Sequence, residues 1–243
     1  MQKDSAYAKN KYKNILVLAA LAVLLLVFAL ISLKCGSYST SVAELVRGVF
    51  GTADERINAV VQGVRLPRIY TAVVCGAGLG VTGCILQAIL NNPLASASTL
   101  GISQGASFGA AFAIMVLGAG TAGLADSVLV SVCAFVSSML VSVIILGLSK
   151  LRAIGPEAMV LAGVALSALF SGATTLLQYF ASETELASFV FWTFGDLGST
   201  TRSDILVITV VVAVFMVYFI LNRWSYNALA AGEHTAVSLG VNV

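Results

Sequence analysis

Hydrophobic residues run through this chain in long blocks. Six of them, 15–33, 69–90, 99–118, 127–149, 158–181 and 205–221, contain no Asp, Glu, Lys, Arg or His. A helix rises about 1.5 Å per residue and needs about 20 apolar residues to cross the hydrocarbon layer, where the backbone must bond to itself. The pattern predicts an all-α, polytopic membrane protein, a single domain over 1–243 with about six transmembrane helices. Charged residues gather at the breaks: Lys150 with Arg152, Glu183 with Glu185, Arg202 with Asp204, and Arg223.

Six crossings place both ends on one side. Lys3, Lys9, Lys11 and Lys13 precede the first block and favour a cytoplasmic N-terminus, with Lys150, Arg152 and Arg223 then also inside. Lys34, Arg47, Arg56, Arg65, Arg68 and Arg202 fall outside, so the charge bias is small. In the external segment 34–64, Val42, Leu45, Val46 and Val49 recur at helical spacing beside Glu44 and Arg47, which predicts a short helix lying at the surface.

Composition agrees with the blocks. Hydrophobic residues make up 59% and charged residues 10% of the chain, and the mean hydropathy of +0.99 lies outside the range of a soluble domain. The net charge of +2 is too small and dispersed for a nucleic-acid groove or a polybasic lipid strip. Cys35, Cys75, Cys84 and Cys133 show no CxxC spacing, and the last three lie in apolar blocks where a small apolar residue would also serve. Lys34 stands where a lipidated Cys35 would need a small residue, so no lipidation is expected. The first block lacks an A-x-A cleavage site and exceeds a signal core in length, which favours a retained anchor.

The second and third blocks are rich in small residues. Gly76 and Gly80 form one GxxxG pair, and Gly101, Gly105 and Gly109 form two in succession, a spacing that lets helix backbones approach and that also occurs in any packed membrane helix. Between these blocks, Asn91-Asn92-Pro93-Leu94 forces a turn, since proline cannot continue a helix and the amides need polar partners. A connector and a constriction both fit it.

Before the second block stands Arg65-Leu66-Pro67-Arg68. Proline suits a first helical turn, and the two arginines project to nearly the same side, which leaves interfacial anchoring and partner docking equally open. After the last block, Gly232 ends one short helix, Glu233 opens another, and Ala236, Val237 and Leu239 give it an apolar side before Gly240. His234 is the only histidine and has no companion ligands, so neither a metal nor a cofactor is expected.

In their order, RLPR at 65–68, GAGLGVTGCILQAILNNPLA at 76–95, LGISQGASFGA at 100–110, LAGVAL at 161–166 and AAGEHTAVSLGV at 230–241 resemble the permeases of iron-siderophore, haem and cobalamin importers, the type II ATP-binding-cassette importers. The resemblance runs from about Val42 to the end. It implies a second permease subunit, cytoplasmic ATPase subunits, an extracytoplasmic binding protein, and a place in the bacterial cytoplasmic membrane.

By motif, Arg65 and Arg68 would meet acidic residues on that binding protein. Asn92, Pro93 and Leu94 would form the cytoplasmic gate, with Gly155 and Pro156 in a second gate loop that lacks the hydroxyl residues of some relatives. The segment 222–243, with Leu229, Gly232, Glu233, Ala236, Leu239 and Gly240, would couple to the ATPase. An iron-siderophore is the first choice of cargo, haem or cobalamin the alternative. Members of the family have about ten spans per subunit, so the chain is expected to be the N-terminal part of a permease, C-terminally incomplete.

Other classes fit less well. An ion-coupled secondary transporter places ionisable groups within the bilayer, and these blocks have none. A membrane enzyme needs a cluster of catalytic groups, and scattered acids with one histidine do not supply it. No GxxxxGK[ST] is present, so nucleotide is expected on a partner chain.

Overall fold

The computed structural model describes residues 2–36, 38–119, 124–150, 155–198 and 200–242. Among these residues every regular element is helical: α1 (Gln2–Lys34), α2 (Val42–Val49), α3 (Glu55–Val60), a π turn (Val61–Arg65), α4 (Leu66–Ile89), α5 (Ile102–Met115), α6 (Leu124–Ser149), α7 (Pro156–Phe180), α8 (Glu183–Phe194), α9 (Arg202–Leu221), α10 (Arg223–Ala230) and α11 (Glu233–Ser238). Among the described residues five helices are long and apolar enough to cross a membrane: those of α1, of the run Glu55–Ile89, and of α6, α7 and α9. The all-α membrane class is as the hydrophobic blocks predict. Arg152, expected on the cytoplasmic side, lies outside the described residues.

Of the six apolar blocks, 99–118 forms a shorter helix than its length suggests. The helix there, α5, has 14 residues and rises about 21 Å, short of a hydrocarbon core of about 30 Å. The cause is local. Ser96 and Thr99 bond reciprocally, Ser96 N to Thr99 Oγ1 at 2.8 Å and Thr99 N to Ser96 Oγ at 3.1 Å, and this turn occupies residues that the apolar block assigned to a helix. Gly101 then starts α5 from a left-handed φ of 79°. Glu183 and Glu185 stand at the break after α7, as expected, and open α8, where Ser182 and Glu185 form a capping box.

The chain divides into two compact units, Met1–Cys75 with Leu197–Thr209, and Gly76–Asp196 with Val210–Val243. In the first, α2 is the expected short amphipathic helix. It opens on a capping box, with Ser41 N donating to Glu44 at 2.7 Å and Glu44 N to Ser41 Oγ at 3.2 Å. Leu45 packs into a small core with Ile57 and Val61. Helix α4 does not begin at Pro67 as its position suggested. The chain is already helical from Glu55, and the π turn inserts one residue, so that Leu66 N reaches back five positions to Val61 O. That extra residue lets the helix run past a proline that has no N–H to give and would clash with a carbonyl in a regular turn.

Arg65 ends the π turn and is 6% exposed. Its guanidinium donates to Leu33 O at 2.6 Å, Tyr38 O at 2.6 Å and Thr40 Oγ1 at 2.9 Å. A Cβ at Gly36 would stand 2.8 Å from Arg65 Nη2, so the linker folds directly around the cation.

In the second unit α5 is the centre, packed against α6, α7 and α8. Ala110, Ala111 and Ala113 are completely buried. The spacing of Gly105 and Gly109 does what close packing requires: a Cβ at Gly105 would meet Val141 Cγ2 at 2.5 Å, and one at Gly109 would strike the Cys133 carbonyl. Gly163 of α7 plays the same part, since a Cβ there would stand 2.6 Å from Leu100 Cα and from Thr99 O. Gly76 and Gly80 differ, because a Cβ there would meet nothing within 4 Å. Their GxxxG spacing serves no helix contact among the described residues.

Two substitution pairs test this packing. Gly109→Leu would push first against the Cys133 backbone and should cost more than the roughly 3 kcal/mol of ordinary overpacking, with most of the detergent-soluble monodisperse protein lost, while Gly80→Leu keeps it; size-exclusion profiles of the two variants are the check. Arg65→Gln should cost about 3 kcal/mol by stranding buried carbonyls, against less than about 1 kcal/mol for the exposed Arg68→Gln, measured as thermal unfolding in detergent.

Candidate functional site

The turn after α4 is built by punctuating residues. Leu90 is buried, and Asn91 takes φ 44°, the one non-glycine residue at positive φ among the described residues. Asparagine tolerates that region better than most side chains. Asn92 N donates to Gln87 O at 3.1 Å and its Oδ1 accepts from Leu94 N at 2.9 Å, while Ala95 N returns to Asn92 O at 3.1 Å. Asn92 and Pro93 thus form a rigid corner, and Leu94 projects from it, 76% exposed.

The second expected gate loop comes to the same place. Gly155 caps α7, Pro156 occupies its first turn, and Met159 N donates to Gly155 O at 3.1 Å. Met159 and Val160 then pack on the cluster of Leu90, Ala95 and Leu100. The structure therefore brings the Asn92 turn and the start of α7 together around one apolar cluster. Ser167 of α7 adds a hydrogen bond to Ser98 O at 3.4 Å.

After α9 the chain makes an elbow from α10 and α11. A single residue, Asn222, separates α9 from α10. Gly232, at φ 106°, turns the chain between the two short helices, a backbone that an L side chain rarely adopts. Ala231 N and Gly232 N close α10 on Ala228 O and Leu229 O at 3.1 and 2.9 Å, and Ala236 N opens α11 on Gly232 O at 3.0 Å. Gly240, at φ 79°, ends it, with Val241 N returning to Ala236 O at 3.0 Å.

Ala236 and Ala228 are buried, whereas Trp224, Val237 and Leu239 are exposed. Leu229 lines a groove of about 720 Å³ with Leu239 and Gly240. The side chain of Glu233 lies outside the described residues.

Elbow and turn meet at an open cleft of about 490 Å³. Gln87, Asn91, Asn92 and Pro93 line it from the turn, and Phe219, Arg223, Tyr226 and Asn227 from the elbow. Sequence reasoning passed over these last four. Arg223 read as an interfacial charge, and the signal that could have found the rest is the run of aromatics at 215, 218, 219 and 226 around the end of a span.

Arg65 and Arg68 are not brought into one surface. Arg65 is buried with its donors on its own chain, while Arg68 is exposed.

Comparison with known proteins agrees with this architecture. The family described as the FecCD transport family matches residues 24–243. A protein of Methanocaldococcus jannaschii named as an ABC transporter permease is 43% identical over 99% of this chain and 70% of its own length. The hemin transport system permease of Yersinia pestis is 33% identical over 94% of this chain and 67% of its own. The molybdate import system permease of Haemophilus influenzae is 33% identical over 100% of this chain and 70% of its own. A solved structure, described as an inward-facing conformation of a metal-chelate type ABC transporter, superposes with a TM-score of 0.74 at 31% identity, covering 93% of this chain and 68% of that one. The chain therefore belongs to the FecCD transport family, as an ABC transporter permease.

Proposed function

We propose that this chain forms part of the translocation path of an importer for a metal chelate, with an iron-siderophore as cargo. ATPase subunits supply the energy from the cytoplasmic side, a second permease subunit completes the path, and an extracytoplasmic protein delivers the chelate. The observation that carries this reading is the elbow. A two-helix knob that follows a span after one residue, with a buried alanine core and an exposed apolar set of Trp224, Val237 and Leu239, has the form of a docking piece. Such a piece transmits a push only when packed firmly on its partner. Leu229, Gly232, Glu233, Ala236, Leu239 and Gly240 belong to it.

In this reading the N-terminus and the elbow are cytoplasmic and the chain lies in the cytoplasmic membrane. The Asn92-Pro93-Leu94 corner and the Gly155-Pro156 start of α7 form the cytoplasmic gate, supported by their shared cluster. Docking of the binding protein falls to exposed Arg68 and to the linker that Arg65 holds in shape, so Arg65 acts by positioning rather than by contact. Iron-siderophore is chosen over haem and cobalamin because such importers are the most numerous of the resembling family.

Proline at Ala236 removes the bond to Gly232 O and breaks α11. Ala236→Pro permease should still insert, while ATPase retention on purification and solute uptake both fall by at least roughly tenfold; full retention of the ATPase would refute the docking role. The cargo is tested by uptake into vesicles holding the permease, its ATPase and its binding protein, using labelled ferric siderophore, haemin, cobalamin and molybdate. Preference for the ferric siderophore is expected, and transport of another member of the panel alone would replace it.

A further inference from the structure

A set of aromatic rings joins the last span to the elbow and has no part in the reading above. Tyr218 and Phe219 close α9 with ring centroids 5.7 Å apart at 63°. Across the junction, Tyr226 of α10 sets its ring 5.9 Å from Phe219 at 70°, the edge-to-face arrangement that aromatic pairs prefer. Burial, followed by the neighbouring Tyr218, pushes the Tyr226 phenol above its ordinary range.

The backbone is fastened at the same point. Asn222 donates to Tyr218 O through Nδ2 at 2.9 Å and through its amide at 3.1 Å, and Tyr226 N donates to Asn222 O at 3.3 Å. Phe219 and Tyr226 also line the cleft that they share with Asn91, Asn92 and Pro93.

A one-residue junction without side-chain contacts would let α10 swing while α9 stood still. Motion imposed on the elbow would then be lost before it reached a span. We propose that Tyr226 is a positioning residue for energy coupling: it makes the end of α9 and the elbow move as one body, so that displacement of the elbow reaches the span and the cleft beside the gate turn. This rests on the reading of 222–243 as the docking segment for the ATPase.

The test compares the parent permease with Tyr226→Phe and Tyr226→Ala, each purified with its ATPase subunits, supplied with binding protein and reconstituted in vesicles. ATPase affinity, ATP hydrolysis and uptake of labelled ferric siderophore, haemin, cobalamin and molybdate are read in the same preparations. For Tyr226→Ala, ATPase affinity should stay within about twofold of the parent while solute moved per ATP falls roughly fivefold, the scale of a lost aromatic pair. Tyr226→Phe keeps the ring and should recover to within about twofold of the parent ratio.

An unchanged ratio in Tyr226→Ala overturns the inference and leaves the docking reading intact. Loss of ATPase binding in both variants also overturns it, because Tyr226 would then serve docking or folding. A parent that binds no ATPase sinks both readings, and that is visible before any variant is compared.

Discussion

Hydrocarbon offers a peptide group no hydrogen-bond partner, and leaving one unpaired there costs several kcal/mol. This constraint decides where the chain must be regular and where it is free to break. Spans such as α1 and α9, whose apolar cores have no burial within the chain, are unbroken helices. The irregular stretch between α4 and α5 closes its own groups instead: Leu100 N on Ser96 O, Gly101 N on Ser98 O and Ile102 N on Ala97 O, at 3.2, 3.1 and 3.0 Å. The π turn before Pro67 is a second solution to the same problem, since one inserted residue spares the helix the clash that proline would cause.

Once backbone groups are satisfied internally, helices in lipid are joined by close contact more than by hydrophobicity. Gly109 against Cys133 and Gly163 against Leu100 are contacts of this kind, where even a methyl group would collide with backbone. They do more than hold a bundle together. Gly163 presses on Thr99 and Leu100, at the end of the turn that carries Asn92 and Pro93, and Leu100 shares a cluster with Met159 and Val160. The corner and the start of α7 are therefore fixed relative to each other by the packing that seats α5.

The hydrophobic blocks, the Asn-Pro corner and the Gly232 elbow were legible in the sequence, because apolar length, proline and glycine act within a few residues of themselves. The shortness of α5 was not, since it depends on Ser96 and Thr99 bonding to one another rather than to a helix. Gly76–Gly80 and Gly105–Gly109 have the same spacing, yet among the described residues only the second pair meets another helix. Arg65 and Arg68 looked alike for a similar reason. What separates them is the return of the carbonyls of Leu33 and Tyr38 to residue 65, contacts spanning 32 and 27 positions that no local pattern encodes.

The same distinction bears on how a push could travel. The Asn92-Pro93 corner and the elbow face each other across an open cleft of about 490 Å³. A stiff corner held by Gly163 and Leu100 will not yield to small displacements, because packed interiors transmit strain and do not absorb it. If the elbow is the docking piece proposed above, its motion arrives either along α9 or by closure of the cleft, and in both cases the residues that matter are those joining span to elbow. A short junction between two stiff pieces is the place where one contact decides whether force is passed on or dissipated.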